Sequence, residues 1–188
     1  MREIDLSKYQ IRTDLVVDLI EKDSKLETKY KYKNITVSNI KLDKENSNLL
    51  KRKEGLYTTI HFEDITDKTN YKDVLKVMVE ELTKIINESG IKEKDSCMII
   101  GLGNEKSTAD ELGVTTAKKV TVTKHIYDLT GTLEEGYRIS TCLIPGVMGT
   151  TGIETSDIIS SVVKEVSPDF LIIIDALASD SIDRLLKT

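Results

Sequence analysis

Asp110 and Asp175 are the two side chains of this sequence best placed for acid–base chemistry. Asp175 follows Phe170-Leu171-Ile172-Ile173-Ile174 and precedes Ala176-Leu177-Ala178-Ser179, so four successive large aliphatics lead straight into a carboxylate. An apolar run this short, without polar alternation, predicts a strand buried on both faces, as inside a parallel sheet. In open α/β sheets the chemistry collects outside the carboxyl ends of such strands. A second strand-to-loop junction lies upstream, where Ser96-Cys97-Met98-Ile99-Ile100 runs into Gly101-Leu102-Gly103-Asn104, with Asp110 in the following turn. The two aspartates are 65 residues apart, room enough for one intervening strand and helix. Held close, they would share one proton. The ionised partner could then activate water while the protonated one donates to a carbonyl oxygen or a leaving amine. A lone Asp at a strand end is also a common cap or loop anchor, and that use stays open for Asp175.

Two glycine-rich turns flank this pair. Gly101-Leu102-Gly103-Asn104 follows a strand, but no third glycine completes a dinucleotide fingerprint and no Gly-Lys-Thr/Ser completes a P-loop. It reads instead as a sharp backbone turn that presents Asp110. Gly146-Val147-Met148-Gly149-Thr150-Thr151-Gly152 is either a flexible connection or a loop whose amides line a groove or anion site. A groove drawn from both turns would use Gly103, Asn104, Gly149, Thr150 and Glu154. Cys97 and Cys142 sit inside apolar, strand-like runs and read as buried thiols. The two histidines, His61 and His125, show no metal-ligand spacing, so neither a metal nor a cofactor is expected.

The elements that must carry these residues alternate along the chain. A short helix is expected at about residues 14–21, then a charged, solvated loop to residue 33. Ile35-Thr36-Val37-Ser38-Asn39-Ile40 alternates as a half-exposed strand, and residues 41–55 read as a loop or hairpin connection. Leu56 to Phe62 is a second strand, pairing antiparallel with the first at a sheet edge or in a small subsheet. From residue 71 to 87, Val74, Leu75, Met78, Val79, Leu82, Ile85 and Ile86 predict the apolar stripe of an amphipathic helix ended by Ser89-Gly90. Residues 110–127 are ambiguous, with Val120-Thr121-Val122-Thr123 breaking any helix. Ile139 to Ile144 is a strand, and residues 154–166 a helix capped by Thr155 or Ser156. A last helix starts at Ser181. The order implies one α/β domain over residues 1–188, a three-layer α/β/α sandwich with a mainly parallel sheet.

Bulk properties narrow the function classes. The 188 residues are 39% hydrophobic and 31% charged, enough for a core without staples. A net charge of −5 leaves no general basic footprint for nucleic acid. No stretch has the length of a membrane span, and Met1-Arg2-Glu3-Ile4-Asp5 is no signal peptide, so a cytoplasmic location without membrane contact is expected.

Several stretches together resemble the germination proteases of spore-forming Gram-positive bacteria. They are Ile11-Arg12-Thr13-Asp14-Leu15, Gly101-Leu102-Gly103-Asn104 with Ser107-Thr108-Ala109-Asp110-Glu111-Leu112-Gly113, Pro145 to Thr155, and Ile174-Asp175-Ala176-Leu177-Ala178-Ser179. The resemblance implies an endopeptidase that degrades small acid-soluble spore proteins in the spore core during germination. It implies an atypical aspartic mechanism whose essential residues fall on Asp110 and Asp175, without cofactor. The implied fold is similar to that of hydrogenase-maturation endopeptidases. The implied life history is a zymogen that assembles as a homotetramer and loses an N-terminal prosegment, here residues 1–14. The sequence departs from the family pattern at Asp180, where Arg is expected, and at Leu186, where Asn is expected. An extra carboxylate five residues past Asp175 would raise the local negative potential. Family members also continue beyond a point equivalent to Thr188, so an incomplete C-terminus is expected. Two other readings remain: a non-catalytic spore binding or regulatory protein, and a metal-dependent maturation-type endopeptidase.

Overall fold

The computed structural model of the chain describes residues 13–20 and 24–178. They fall into two compact units. The first takes the described residues as far as Ser89 together with Leu177 and Ala178, and the second runs from Gly90 to Ala176. The expected prosegment (apart from Thr13 and Asp14), the expected C-terminal helix, Asp180 and Leu186 lie outside the described residues.

The first unit is built on an antiparallel sheet of β1 (Glu27–Tyr32), β2 (Ile35–Leu42) and β3 (Gly55–His61), in that spatial order. β1 occupies the stretch expected to be a solvated loop. Its charges obscure the alternation of an edge strand, where lysines facing water are tolerated. The two-residue turn Lys33-Asn34 joins β1 to β2, and Lys33 takes a left-handed φ of 55° there. Its ammonium bonds both Asp73 carboxylate oxygens at 2.7 Å.

β2 is not the half-exposed strand that its alternation suggests. It is central, and it is buried on both faces because its apolar phase shifts midway. Ile35 and Val37 pack with Val74 and Val77, whereas Ile40 and Leu42 pack with Val16 on the other side. The expected helix at residues 14–21 is a single 3₁₀ turn, Val16–Asp18, preceded by Thr13, whose hydroxyl donates to Asp18 at 3.0 Å. Asp14 pairs with Ala178 through both backbone and side chain: its N–H donates to the Ala178 carbonyl at 2.8 Å, and its carboxylate accepts the Ala178 N–H at 2.9 Å.

Residues expected to form a loop after β2 instead wind into helix α1 (Lys44–Leu50). Asp43 caps it by accepting the Asn46 N–H at 3.0 Å, and Lys51 closes it in a left-handed conformation.

Helix α2 (Lys68–Glu88) begins where Asp67 accepts the N–H groups of Thr69 and Asn70, and Ser89-Gly90 ends it as expected. Its rotation differs from the expected stripe. The buried positions are Asn70, Val74, Val77 and Glu81, while Leu75 (47% exposed), Met78, Val79 (54% exposed) and Leu82 face outward. Two polar groups pull this face inward. The Asn70 amide donates to the Asp64 carbonyl, and Glu81 accepts the Tyr30 hydroxyl at 2.9 Å. Periodicity counts apolar residues; it does not register that a buried carboxylate has found a donor.

The second unit holds a parallel sheet of β4 (Cys97–Gly101), β5 (Ser140–Leu143) and β6 (Phe170–Ile174), ordered β5-β4-β6. β4 is central and buried throughout, as its uninterrupted apolar run requires. At the amino ends Asp169 ties β6 to β4, accepting the Ser96 N–H at 2.6 Å and the Ser96 hydroxyl at 2.7 Å. Those bonds hold its carboxyl below the usual carboxylate range. The ambiguous region resolves into two short helices, α3 (Leu112–Ala117) and α4 (Lys124–Thr130), on either side of the Val120–Thr123 break. Between β5 and β6 come a single helical turn, α5 (Met148–Thr151), and α6 (Thr155–Val166). Glu154, not Thr155 or Ser156, occupies the cap position of α6 and makes no side-chain cap. The Thr155 hydroxyl donates instead to the Gly146 carbonyl at 3.1 Å. The described residues are therefore mixed α/β and include a parallel sheet. No helix among the described residues is long and apolar enough to cross a membrane.

The Tyr30–Glu81 bond can be tested by titration. Burial, reinforced by the Glu81 carboxylate, pushes the Tyr30 hydroxyl up to about 12. A phenol raised in the folded state from 10.0 stabilises the fold fully below that pH and loses its contribution as the pH rises through about 12. Replacing Tyr30 with Phe leaves Glu81 without this donor and lowers the unfolding free energy by about 1–3 kcal/mol in urea denaturation. It also removes one tyrosine transition near pH 12 from the absorbance titration.

Candidate active site

The site begins with a close approach of backbone. The face of Gly101 points at α3: a Cβ there would sit 2.4 Å from the Gly113 carbonyl oxygen and 2.6 Å from the Ala117 methyl. Gly113 is tighter still, its virtual Cβ lying 2.2 Å from the Ile174 carbonyl oxygen and 2.3 Å from that of Leu102. With no side chain at either position, the first turn of α3 packs directly on the carboxyl ends of β4 and β6. The Leu102 N–H donates to the Ile174 carbonyl at 2.8 Å and closes the sheet there. The strand order reverses between β4 and β6, so this end is the topological switch point, where α/β sheets open a crevice.

Both aspartates belong to this rim. Asp110 lies three residues before Gly113, and Asp175 immediately after Ile174. Asp110 ends the 3₁₀ turn Thr108–Asp110 and is half-buried. The loop that carries it is folded on itself. The Asn104 N–H donates to the Asp110 carbonyl at 2.9 Å, the Ser107 N–H to the Asn104 carbonyl at 3.0 Å, and the Asp110 N–H to the Ser107 carbonyl at 2.8 Å. Gly103, at a φ of 111°, lets that carbonyl close in: a Cβ would meet the Asp110 oxygen at 1.9 Å and the Asp110 carboxylate at 3.2 Å. Asp175 is exposed, and one of its carboxylate oxygens accepts the N–H of Ala176 at 2.8 Å. Among the described residues, no basic side chain is ion-paired to either aspartate.

A cavity of about 550 Å³ lies between the loop after β4 and the loop after β5, and neither aspartate is among the residues that line it. Gly103, Asn104 and Thr150 line it as the groove reading expected; Gly149 and Glu154 do not. Gly149 lies in exposed α5 with open space where a side chain would be, and exposed Glu154 lends its carbonyl to the Asp157 N–H at 3.0 Å. Sequence reasoning missed Glu105, Lys106, Val114 and Lys118 on the walls. Glu105 and Lys118 form an ion pair, and their separation of thirteen residues carried no periodic signal. Gly146 and Val147, with Thr150, bring the Gly146–Gly152 loop to the cavity wall, while its second half closes on itself. The N–H groups of Thr150 and Thr151 donate to the Val147 carbonyl, and that of Gly152 to the Met148 carbonyl. A larger cavity, about 700 Å³, opens at the amino ends of β4 and β5 beside Glu93, Tyr127 and Tyr137, and neither aspartate lines it.

Both cysteines lie in strands, but only Cys97 is buried as expected; Cys142 is half-buried. Cys97 is buried in β4, the Cys142 thiol donates to the Ala117 carbonyl at 3.4 Å, and burial pushes both thiols up. Neither therefore supplies a ready thiolate. Among the described residues no cluster of three or more His, Cys, Asp or Glu side chains could hold a metal ion.

An α/β unit whose polar residues gather at the switch point of a parallel sheet is an architecture in which ligand-binding and active sites commonly form. The family model described as "Germination protease" matches residues 12–188, and this chain belongs to that family. Three similar proteins, each called germination protease, are those of Bacillus licheniformis (40% identical over 202 residues), Bacillus pumilus (37% over 205) and Priestia megaterium (36% over 206). Each comparison covers 100% of this chain and 55% of the relative, so the chain spans about half the length of these proteins.

The glycine contacts make a sharp prediction. Gly113→Ala brings a methyl against two backbone carbonyls that cannot rotate away, and it lowers the unfolding free energy by roughly 1–3 kcal/mol or more. Gly149→Ala, in open space, changes stability by less than about 0.5 kcal/mol. Urea denaturation of both variants measures the contrast, and equal effects would contradict the packing described.

Proposed function

We propose that the chain is the aspartate-bearing part of an endopeptidase that degrades small acid-soluble spore proteins as a spore germinates. Family membership supports the reaction class. The observation that carries the site is the packing of Gly113 on the Leu102 and Ile174 carbonyls, because the loops bearing Asp110 and Asp175 leave from that one contact. In the proposed mechanism an ionised carboxylate of the pair takes a proton from water, and the water oxygen attacks the peptide carbonyl carbon. The protonated partner donates to the carbonyl oxygen, and the proton then passes to the amine as the C–N bond breaks. The pair acts as a unit, so neither aspartate carries one role alone. The cavity lined by Gly103, Asn104 and Thr150 is the substrate groove in this reading, with the Glu105–Lys118 pair at its wall.

The finer features belong to the same proposal. They are a three-layer sandwich similar to hydrogenase-maturation endopeptidases, zymogen processing that removes a prosegment ending near Asp14, assembly as a homotetramer, and action in the spore core. The order β5-β4-β6 is compatible with the first of these.

The test replaces each aspartate singly by Asn and follows cleavage of a purified small acid-soluble spore protein by mass spectrometry. Each variant is expected to lose roughly 10²-fold or more of the rate, with peptide binding retained. Full cleavage by either variant would remove the pair from the mechanism. Binding without turnover by the unsubstituted protein would favour a regulatory role instead.

A further inference from the structure

The cavity between the loops after β4 and β5 has five polar side chains on its wall: Asn104, Glu105, Lys106, Lys118 and Thr150. Glu105 and Lys118 pair with each other, and the Thr150 hydroxyl donates to the Val147 carbonyl at 2.9 Å. Lys106 is exposed on a long flexible stem, and its charge acts on Glu105. Asn104 differs from all of these. Its side-chain oxygen accepts the Lys106 N–H at 3.0 Å. Its backbone N–H donates to the Asp110 carbonyl at 2.9 Å, and its backbone carbonyl accepts the Ser107 N–H at 3.0 Å. A backbone N–H can only donate, so the bond from Lys106 fixes which end of the Asn104 amide is oxygen. The Nδ2 end is left over, and among the described residues nothing accepts from it.

The place of this donor matters as much as its freedom. Asp110 does not line the cavity, yet its carboxylate lies 3.2 Å from where a Gly103 Cβ would be, and Gly103 precedes Asn104 on the wall. Asn104 therefore stands at the border between cavity and carboxylate. Val114 and Ile144 give the same wall apolar surface, against which a hydrogen bond is diluted less by water.

We propose that the Asn104 side-chain amide donates to a main-chain carbonyl of a peptide lying in this cavity, and so holds the substrate next to Asp110. That the ligand is a polypeptide rests on the peptidase reading; the free donor does not. Such a bond needs only a backbone oxygen, so it holds the peptide in register without selecting a side chain. The turn has already ordered the amide, and little further freedom is lost when a carbonyl arrives.

Three substitutions separate the donor from the turn. Asn104→Asp and Asn104→Ser each keep an oxygen for the Lys106 N–H but lose the amide, whereas Asn104→Ala loses both. Affinity for a fluorescein-labelled small acid-soluble spore protein is read by anisotropy, and cleavage in the same samples by mass spectrometry. The Asp and Ser variants are expected to bind roughly three- to tenfold more weakly than the unsubstituted protein. Their thermal midpoints should stay within about 2 °C of it. A measurement without substitution at Asn104 uses the ¹⁵N-labelled Asp175→Asn protein. Its Asn104 side-chain amide signals, assigned through the attached carbons, are expected to move when the spore protein is added. Parent-like binding by Asn104→Ser and Asn104→Asp would overturn the proposal, because the turn alone would then explain the residue. So would amide signals that stay in place at saturation, or no binding by the unsubstituted protein. Weaker binding by the Asn104 variants alongside cleavage that survives both aspartate substitutions would keep this donor and remove the aspartate mechanism. Unchanged binding alongside cleavage lost in both aspartate variants would do the reverse.

Discussion

The site depends on one steric fact: at the carboxyl end of the parallel sheet two backbones meet with no side chain between them. Gly101 and Gly113 let α3 rest on the ends of β4 and β6, and the Leu102–Ile174 hydrogen bond holds those ends together. Asp175 inherits its position from β6, and Asp110 inherits its position from the turn that leads into α3. Gly103 completes the arrangement from the other side by letting the Asp110 carbonyl close over it, so the carboxylate comes from a loop braced by its own hydrogen bonds. The acidic residues carry the proposed chemistry, but the three glycines decide where they stand.

The first unit follows a different logic, in which buried polar groups set the register of otherwise ordinary packing. β2 serves two small cores by shifting its apolar phase, and α2 turns Asn70 and Glu81 inward because Asp64 and Tyr30 offer them partners. A buried carboxylate is tolerated when it accepts a hydrogen bond, and that bond then specifies the rotation of the helix. The cost is an outward row of apolar side chains, Tyr71, Leu75, Met78, Val79 and Leu82. Together with Leu171 and Ile173 in the second unit, it marks where the described surface is more apolar than water favours.

Around the proposed groove, residues reach their places through local hydrogen bonding. The turn at α5 closes through the amides of Thr150, Thr151 and Gly152, and Thr150 lies on the cavity wall while Gly149 and Glu154 do not. Spacing alone could not separate these neighbours, because a single turn rotates adjacent residues by about 100°. The walls formed by Glu105 and Lys118 come from a loop and a helix end that meet only after the chain folds.

Composition and local pattern by themselves determined that β4, β5, β6, α2 and α6 exist, because unbroken aliphatic runs and three- and four-residue steps report element type. They did not report burial, since β6, expected to be buried on both faces, exposes Leu171 and Ile173, and α6 buries no residue fully. They also determined that both aspartates follow sheet strands, since a carboxylate cannot continue an apolar run without leaving the core. Tertiary structure alone decided which face of α2 is buried, why β2 is covered on both sides, and that a charged segment becomes β1. It also decided which residues of the glycine loops wall the cavity. The physical reason is common to all of these. A hydrophobic period records how much apolar surface seeks cover, whereas a buried hydrogen-bond partner or a missing Cβ, supplied from far along the chain, determines which surface receives it.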